Sequence, residues 1–170
     1  MLWYNIHMAT YTKPSQRFRI SRTLHCIDAE NLSGAPMVSA QRLSATYANY
    51  RAHVNVGPFD QTIVTTSHFN ALTVGLSWPA GQYRWRSGRD GADLELIDAV
   101  KAQVQQSDFD HVVIASGDRI FGELVWWLTE RKIRVTVVGI PGSISHVLRL
   151  VADNVIVLTG NSTLALGMGA

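Results

Sequence analysis

From Thr23 onward, short runs of β-branched and apolar residues alternate with stretches in which apolar positions recur every three or four residues. The runs at 24–27, 62–66, 82–85, 111–115, 133–138 and 155–158 have the length and composition of buried strands. Between them, 38–50, 69–76, 92–106, 120–131 and 144–151 carry the helical period, 69–76 being short and weakly marked. Six strands separated by helices predict right-handed crossovers, and so a mostly parallel central sheet with helices on both faces. The fold class expected is a three-layer α/β/α domain. Residues 1–21 show no such period; aromatic and polar residues lead into Lys13, Pro14, Arg17 and Arg19, and the segment reads as an extended or mobile arm. Residues 22–170 read as a single domain, because no repeat, low-complexity tract or Gly/Ser-rich linker divides them.

At 170 residues and 46% hydrophobic composition, the chain is long and apolar enough to enclose one core. Its formal net charge of +2 excludes a strongly cationic protein but leaves room for a local basic patch of the kind that meets phosphate. Cys26 is the single cysteine, which excludes an internal disulfide or a cysteine-built zinc site in one chain and fits a reducing cytoplasm. Lying beside Ile27 in an apolar run, it reads as a small core residue and not as a nucleophile. No apolar run approaches the ~20 residues of a membrane span, and residues 1–22 lack a signal-peptide pattern. A soluble protein without a membrane partner is expected.

Three acids stand where an apolar run gives way to a turn. Asp28 closes the first strand run and is followed by Asn31; either side chain could also hydrogen-bond local amides, as turn and N-cap residues do. Asp93 shares a helical line with Leu96, Ile97, Val100 and Val104, which turns it toward the core side. A carboxylate there costs free energy unless it is paired, hydrogen-bonded or bound to a cation. The local alternative has Asp90 capping the helix and Asp93 in its first turn, where the helix dipole contributes about 0.3–1 kcal/mol. Glu95 and Asp98 fall off that line and read as solvated. Asp118 follows the most hydrophobic strand and opens a helix with the apolar stripe Phe121, Leu124, Val125 and Leu128; it too could be only an N-cap. Before it, Ser116 is a candidate substrate contact, and Gly117 lets backbone or ligand come close.

In an open parallel sheet the crevice lies beyond the carboxyl ends of the strands, so these acids are expected to meet on one rim. Oxygen-only ligation of this kind suits Mg²⁺ or Mn²⁺. Such an ion would polarise a phosphodiester oxygen and activate a water for in-line attack.

The segments Ile27-Asp28-Ala29-Glu30-Asn31, Gly91-Ala92-Asp93-Leu94-Glu95-Leu96 and Ile114-Ala115-Ser116-Gly117-Asp118-Arg119-Ile120-Phe121 carry a family resemblance, with 132–138 and 145–153 extending it. In that order and spacing they resemble the NYN domains of the PIN-like nuclease superfamily, over roughly residues 23 to 159. The resemblance implies a PIN-like fold and a metal-dependent endonuclease, usually acting on RNA, with Asp28, Asp93 and Asp118 at the acidic site. Asn31 is similar to the family's companion polar residue, which would orient a metal-bound water or the substrate phosphate. Many members carry a second aspartate two residues after the serine-glycine-aspartate; this chain has Ile120. That departure keeps a second reading open: a nucleic-acid-binding or assembly domain of the same fold that cuts slowly or not at all.

Tyr83-Arg84-Trp85-Arg86 and Arg89 lead into the Asp93 helix and interleave aromatic with basic residues, a mixture that stacks bases and neutralises phosphates in single-strand binders. The plainer reading is an alternating strand with Tyr83 and Trp85 buried and the arginines exposed. Arg86, Arg89 and Arg119 are the candidate phosphate contacts. Nothing identifies a reader of the ribose 2′-hydroxyl, so DNA remains an alternative to RNA. Trp126 and Trp127 are adjacent in a helix and cannot point the same way, so one is expected in the core and the other outside, where it would suit a homodimer. His25, His53, His68, His111 and His146 lack the close pairing of a zinc site and read as structural or surface residues. No glycine-rich phosphate loop accompanies Gly57-Pro58, which disfavours a Rossmann cofactor site.

Overall fold

The computed structural model describes residues 21–79 and 81–159; the expected arm at 1–20 lies outside the described residues, as do 80 and 160–170. Six strands form one sheet: β1 (Thr23–Asp28), β2 (Gln61–Thr66), β3 (Gln82–Trp85), β4 (His111–Ala115), β5 (Arg134–Gly139) and β6 (Asn154–Val157). They run in the order β3-β2-β1-β4-β5-β6, and every pairing is parallel. Parallel strands covered on both faces read as continuous apolar runs, and the central strand β4 shows this. Its Val112 and Ile114 enter one core cluster, while Val113 and Ala115 enter the other.

The helices are α1 (Ala29–Ser33), α2 (Ala40–His53), α3 (Ala71–Ser77), α4 (Gly91–Gln106), α5 (Gly122–Thr129) and α6 (His146–Val151). Leu96 and Val100 of α4, Leu124 and Leu128 of α5, and Leu148 of α6 fill one face of the sheet. Leu32 of α1, Leu43 and Tyr50 of α2, and Val74 of α3 fill the other, with Trp78. Each fully buried apolar side chain of this size contributes about 1.5–3 kcal/mol relative to exposure. The fold is thus the three-layer PIN-like α/β/α arrangement, with a sheet more uniform than the mostly parallel one expected.

Several local features differ from the sequence reading. The turn after Asp28 is the short helix α1, capped by Asp28 and ended by Gly34 in the left-handed region at φ 67°. The expected helix 120–131 begins as a 3₁₀ turn over Arg119–Phe121 before α5. Tyr83 is half-buried, with its hydroxyl donating to the Trp78 carbonyl, but Trp85 is 59% exposed and not buried. It ends β3, which among the described residues has a neighbouring strand on one side only.

Other placements agree with the sequence. Cys26 is fully buried, and burial pushes its thiol far up, keeping it protonated and inert. Trp127 packs against the core under the Arg131 guanidinium, 3.7 Å from its ring centroid, whereas Trp126 is 61% exposed. Among the described residues no helix is long and apolar enough to cross a membrane.

Candidate active site

The sheet order reverses between β1 and β4, the point at which an open parallel sheet leaves a crevice past its carboxyl ends. Asp28 is the last residue of β1, and Asp118 follows β4 by three residues. Both therefore leave the sheet at that crevice. Asp93 arrives from the opposite direction, in the first turn of α4. The three acids line one cleft of about 460 Å³.

Asp28 is only 4% exposed and is held from two sides. Its Oδ1 accepts the Asn31 backbone N–H at 3.2 Å, and its Oδ2 accepts the Ser116 hydroxyl at 3.0 Å. Burial raises its pKa all the same; the hydrogen bonds from Asn31 and Ser116 counter this, and the nearby Glu30 charge adds to it. Asp28 and Asp93 line the same cleft and act on each other electrostatically. Asp93 is pushed up to about 7, first by burial and then by the negative charges of Asp28, Asp118 and Asp90. The two carboxyls therefore titrate together and not as independent groups.

The local explanation for Asp93 holds in part: it does stand in the first turn of α4, but the cap it called for is not made. Asp90 occupies the N-cap position of α4 in the left-handed region, at φ 55°, and its side chain makes no cap hydrogen bond. Instead, it lines the cleft and adds charge to it. Asp118 does cap its own turn, its Oδ1 accepting the Ile120 N–H at 3.0 Å, yet it also borders the cleft. Two glycines allow this crowding: a Cβ on Gly117 would lie 2.3 Å from the Ser143 carbonyl oxygen, and one on Gly91 would lie 2.6 Å from that of Arg86. Both contacts are with backbone, so no side-chain rotation would relieve them.

Asn31 lies in the cleft wall, and its Oδ1 accepts the Gly117 N–H at 2.9 Å. With the oxygen engaged, the amide nitrogen is what the side chain has left to offer. Ser116 is fully buried, its hydroxyl oxygen also accepting the Asp118 N–H at 3.3 Å, so it positions acids and is not placed to touch substrate. Arg86 lines the cleft while reaching Asp98 at 3.3 Å. Arg89 is almost fully exposed, beside Asp90 at 3.7 Å. Arg119 borders a separate groove with Trp126 and Val147, so of the three arginines only Arg86 is in the cleft wall.

One cleft residue escaped the sequence reading. Glu30 Oε1 accepts hydrogen bonds from Thr66 Oγ1 at 2.9 Å, the Ser67 N–H at 2.8 Å and Asn70 Nδ2 at 2.8 Å. Burial works against its charge, but the bonds from Ser67, Asn70 and Thr66 outweigh it and hold the carboxyl below its usual range. Its proximity to Asp28 in sequence was the only local signal. Ile120, where the family resemblance led us to look for a further acid, is half-buried against the core.

The donor set of the cleft is carboxylate oxygen, which fits a hard divalent cation. Among the described residues no three of His, Cys, Asp and Glu stand together as a ready-made metal site. What the cleft brings together is Asp28, Asp93 and Asp118, with Asp28 and Asp118 acting on Asp93 through charge. The described histidines lie elsewhere: His25 is buried against Tyr50 and Asp60, His111 bonds Thr136, and His53, His68 and His146 are exposed.

None of the curated proteins compared with the chain matches it. Among solved structures, the chain is similar to a protein of unknown function from Vibrio parahaemolyticus, with a TM-score of 0.53 and 21% identity over 85% of this chain and 96% of that one. At that identity the likeness shows the fold alone. The NYN domain matches residues 22–159, which takes in every strand and helix of the described residues and the whole acidic cleft. The chain therefore belongs to the NYN domain family of the PIN-like superfamily, and its fold is nuclease-like.

Proposed function

We propose that the protein is a divalent-metal-dependent endonuclease that hydrolyses RNA phosphodiester bonds in this cleft, with Asp28, Asp93 and Asp118 holding Mg²⁺ or Mn²⁺. The observation that carries the reading is the convergence of Asp28, Asp93 and Asp118 on one cleft at the sheet's switch point, where their negative charges and that of Asp90 crowd Asp93. Such crowding is unfavourable for the protein alone and favourable for a cation. When bound, the ion would polarise the scissile phosphate and lower the pKa of a water. Ser116 holds Asp28 in orientation through its hydroxyl, and Asn31 fixes the Gly117 backbone while keeping its amide for a phosphate oxygen. Arg86, at the cleft wall, supplies positive charge for the incoming backbone.

Purified protein should cut labelled RNA with Mn²⁺ and stop when EDTA is added. Asp28→Asn and Asp93→Asn should each lower the rate on the order of 100-fold. Equal rates for wild type and Asp118→Asn, once contaminating nucleases are excluded, would sink the reading.

Ile120 favours a second reading, since it places an apolar side chain where the family resemblance led us to look for a further acid. In that reading the domain binds nucleic acid or assembles without cutting, and exposed Trp126, beside Val147 and Val151 of α6, is the surface for a second copy. RNA binding or self-association that survives both EDTA and Asp28→Asn, with no cleavage under Mn²⁺, is its signature.

A further inference from the structure

The carboxyl ends of β2 and β3 carry two large aromatic side chains that the core does not take up. Phe69 is 72% exposed and Trp85 59% exposed. Trp85 lies beside Thr66 in the β2–β3 register, and Phe69 follows Thr66 by three residues. The two loops are tied together: His68 packs on Phe69 with ring centroids 3.8 Å apart, and its Nδ1 is 2.9 Å from the hydroxyl of Ser87. Both rings are thereby held at one corner of the sheet. That corner adjoins the acidic cleft, because Ser67 and Arg86, the immediate neighbours of His68 and Trp85, line it.

The strand's alternation separates charge from aromatic surface. Arg84 and Arg86 reach toward α4, where they meet Glu95 at 3.6 Å and Asp98 at 3.3 Å. Trp85 takes the opposite face, the side on which α3 packs. An aromatic shelf beside a cleft walled by Arg86, with exposed Arg89 four residues beyond Trp85, suits a ligand with flat rings and a negative backbone. A duplex keeps its bases stacked on one another, whereas an unpaired strand offers them to the protein.

We infer that Phe69 and Trp85 form a base-stacking shelf that receives an unpaired nucleic-acid strand beside the acidic cleft. The inference rests on the reading of that cleft as a nucleic-acid site and adds the surface that selects single strands. Leu72 and Leu76, exposed further along α3, continue an apolar stripe away from the cleft, and a protein partner covering that stripe is the competing occupant.

The test uses the full chain in EDTA, which separates binding from cutting. The probe is a single-stranded RNA of about a dozen nucleotides containing 2-aminopurine, with its duplex for comparison. Wild type should bind the single strand more tightly than the duplex and quench the probe by stacking. Trp85→Ala and Phe69→Ala should each weaken binding about tenfold, and Trp85→Ala should restore fluorescence at saturating protein. Leu76→Ala, on the same helix face, should bind as wild type does. Absence of wild-type binding, or unchanged affinity and quenching in both aromatic variants, overturns the shelf. A change in oligomeric state alone, read by light scattering, assigns the surface to a protein contact and also overturns it. The two readings fail separately: a protein that binds with quenching but never cuts under Mn²⁺ retains the shelf and loses the nuclease. One that cuts under Mn²⁺ while Trp85→Ala and Phe69→Ala bind normally loses only the shelf.

Discussion

The hydroxyl of Ser116 donates to Asp28 Oδ2 at 3.0 Å, across the junction where the sheet order reverses. Its oxygen also accepts the Asp118 N–H at 3.3 Å, so one fully buried side chain joins the ends of β1 and β4 and orients two of the three acids. Ser116→Ala should therefore cost about 1–3 kcal/mol, because it leaves a buried carboxyl short of a donor. Urea denaturation measures this directly. In a cleavage assay the same variant should retain part of its activity, since it removes the support of Asp28 and not the carboxylate.

Asp93 yields a prediction with a definite sign. Its folded-state pKa rises from 3.8 to about 7, first through burial and then through the charges of Asp28, Asp118 and Asp90. The folded chain thus holds this proton more tightly than the unfolded chain does. The associated stability is fully present below the unfolded value and is lost as pH rises through about 7. In metal-free buffer, the melting temperature of Asp93→Asn relative to wild type should increase between pH 5 and pH 8. Added Mn²⁺ should raise the wild-type melting temperature at pH 8 and leave the variant's nearly unchanged. A cation effect equal in both proteins would remove Asp93 from the binding site.

Sequence patterns and structure agree most closely where structure is local and doubly buried. The run 111–115 is β4 itself, because a central parallel strand is apolar on both faces and needs no partner to be recognised. The meeting of Asp28, Asp93 and Asp118 was accessible for a related reason: each stands at a strand exit or a helix start, and the topology brings those ends together. Helix α1 was not legible, since five residues are too few to display a helical period. Glu30 was hidden because its three hydrogen-bond partners lie 36 to 40 residues away in sequence. Alternation misplaced Trp85 because period two gives the side of a strand but not whether a helix covers that side. Ser116 and Arg119 lay beside the right acid, yet one points into the interior and the other borders a different groove.

Glu30 links the cleft to the end of β2, and its removal should be felt in the fold before the chemistry. Glu30→Ala deletes three hydrogen bonds to a charged acceptor and leaves the buried Asn70 and Thr66 groups without it. A loss of about 2–3 kcal/mol in denaturant unfolding is expected. Glu30→Gln, which retains an acceptor oxygen, should recover part of it. Equal stability of all three proteins would show that the network adds nothing.

The opposite end of the sheet should govern stability on the acid side. His25 is fully buried, with Nε2 3.3 Å from Asp60 Oδ2 and Nδ1 2.7 Å from the Tyr50 hydroxyl. A carboxylate only accepts, so Nε2 carries the hydrogen and Nδ1 accepts from Tyr50, whose own proton is retained by burial. The ring in this tautomer is neutral. Desolvation lowers its pKa below the ordinary 6.5 and prevails over the hydrogen bond and charge of Asp60, which act in the other direction. The unfolded chain thus takes up this proton more readily than the folded one, so stability is present above pH 6.5 and is lost as pH falls through the lowered value. Asp60, whose carboxyl is held low by the Thr23 and Gly57 amides and by His25 despite its burial, adds a loss at still lower pH. Between pH 7 and pH 5 the wild-type melting temperature should fall more steeply than that of His25→Gln, which bears no titrating ring. The variant should be less stable at pH 7, where the neutral imidazole makes both its hydrogen bonds, and the gap between the two proteins should narrow with acid. A gap that stayed constant across that range would mean His25 does not gain its proton on unfolding.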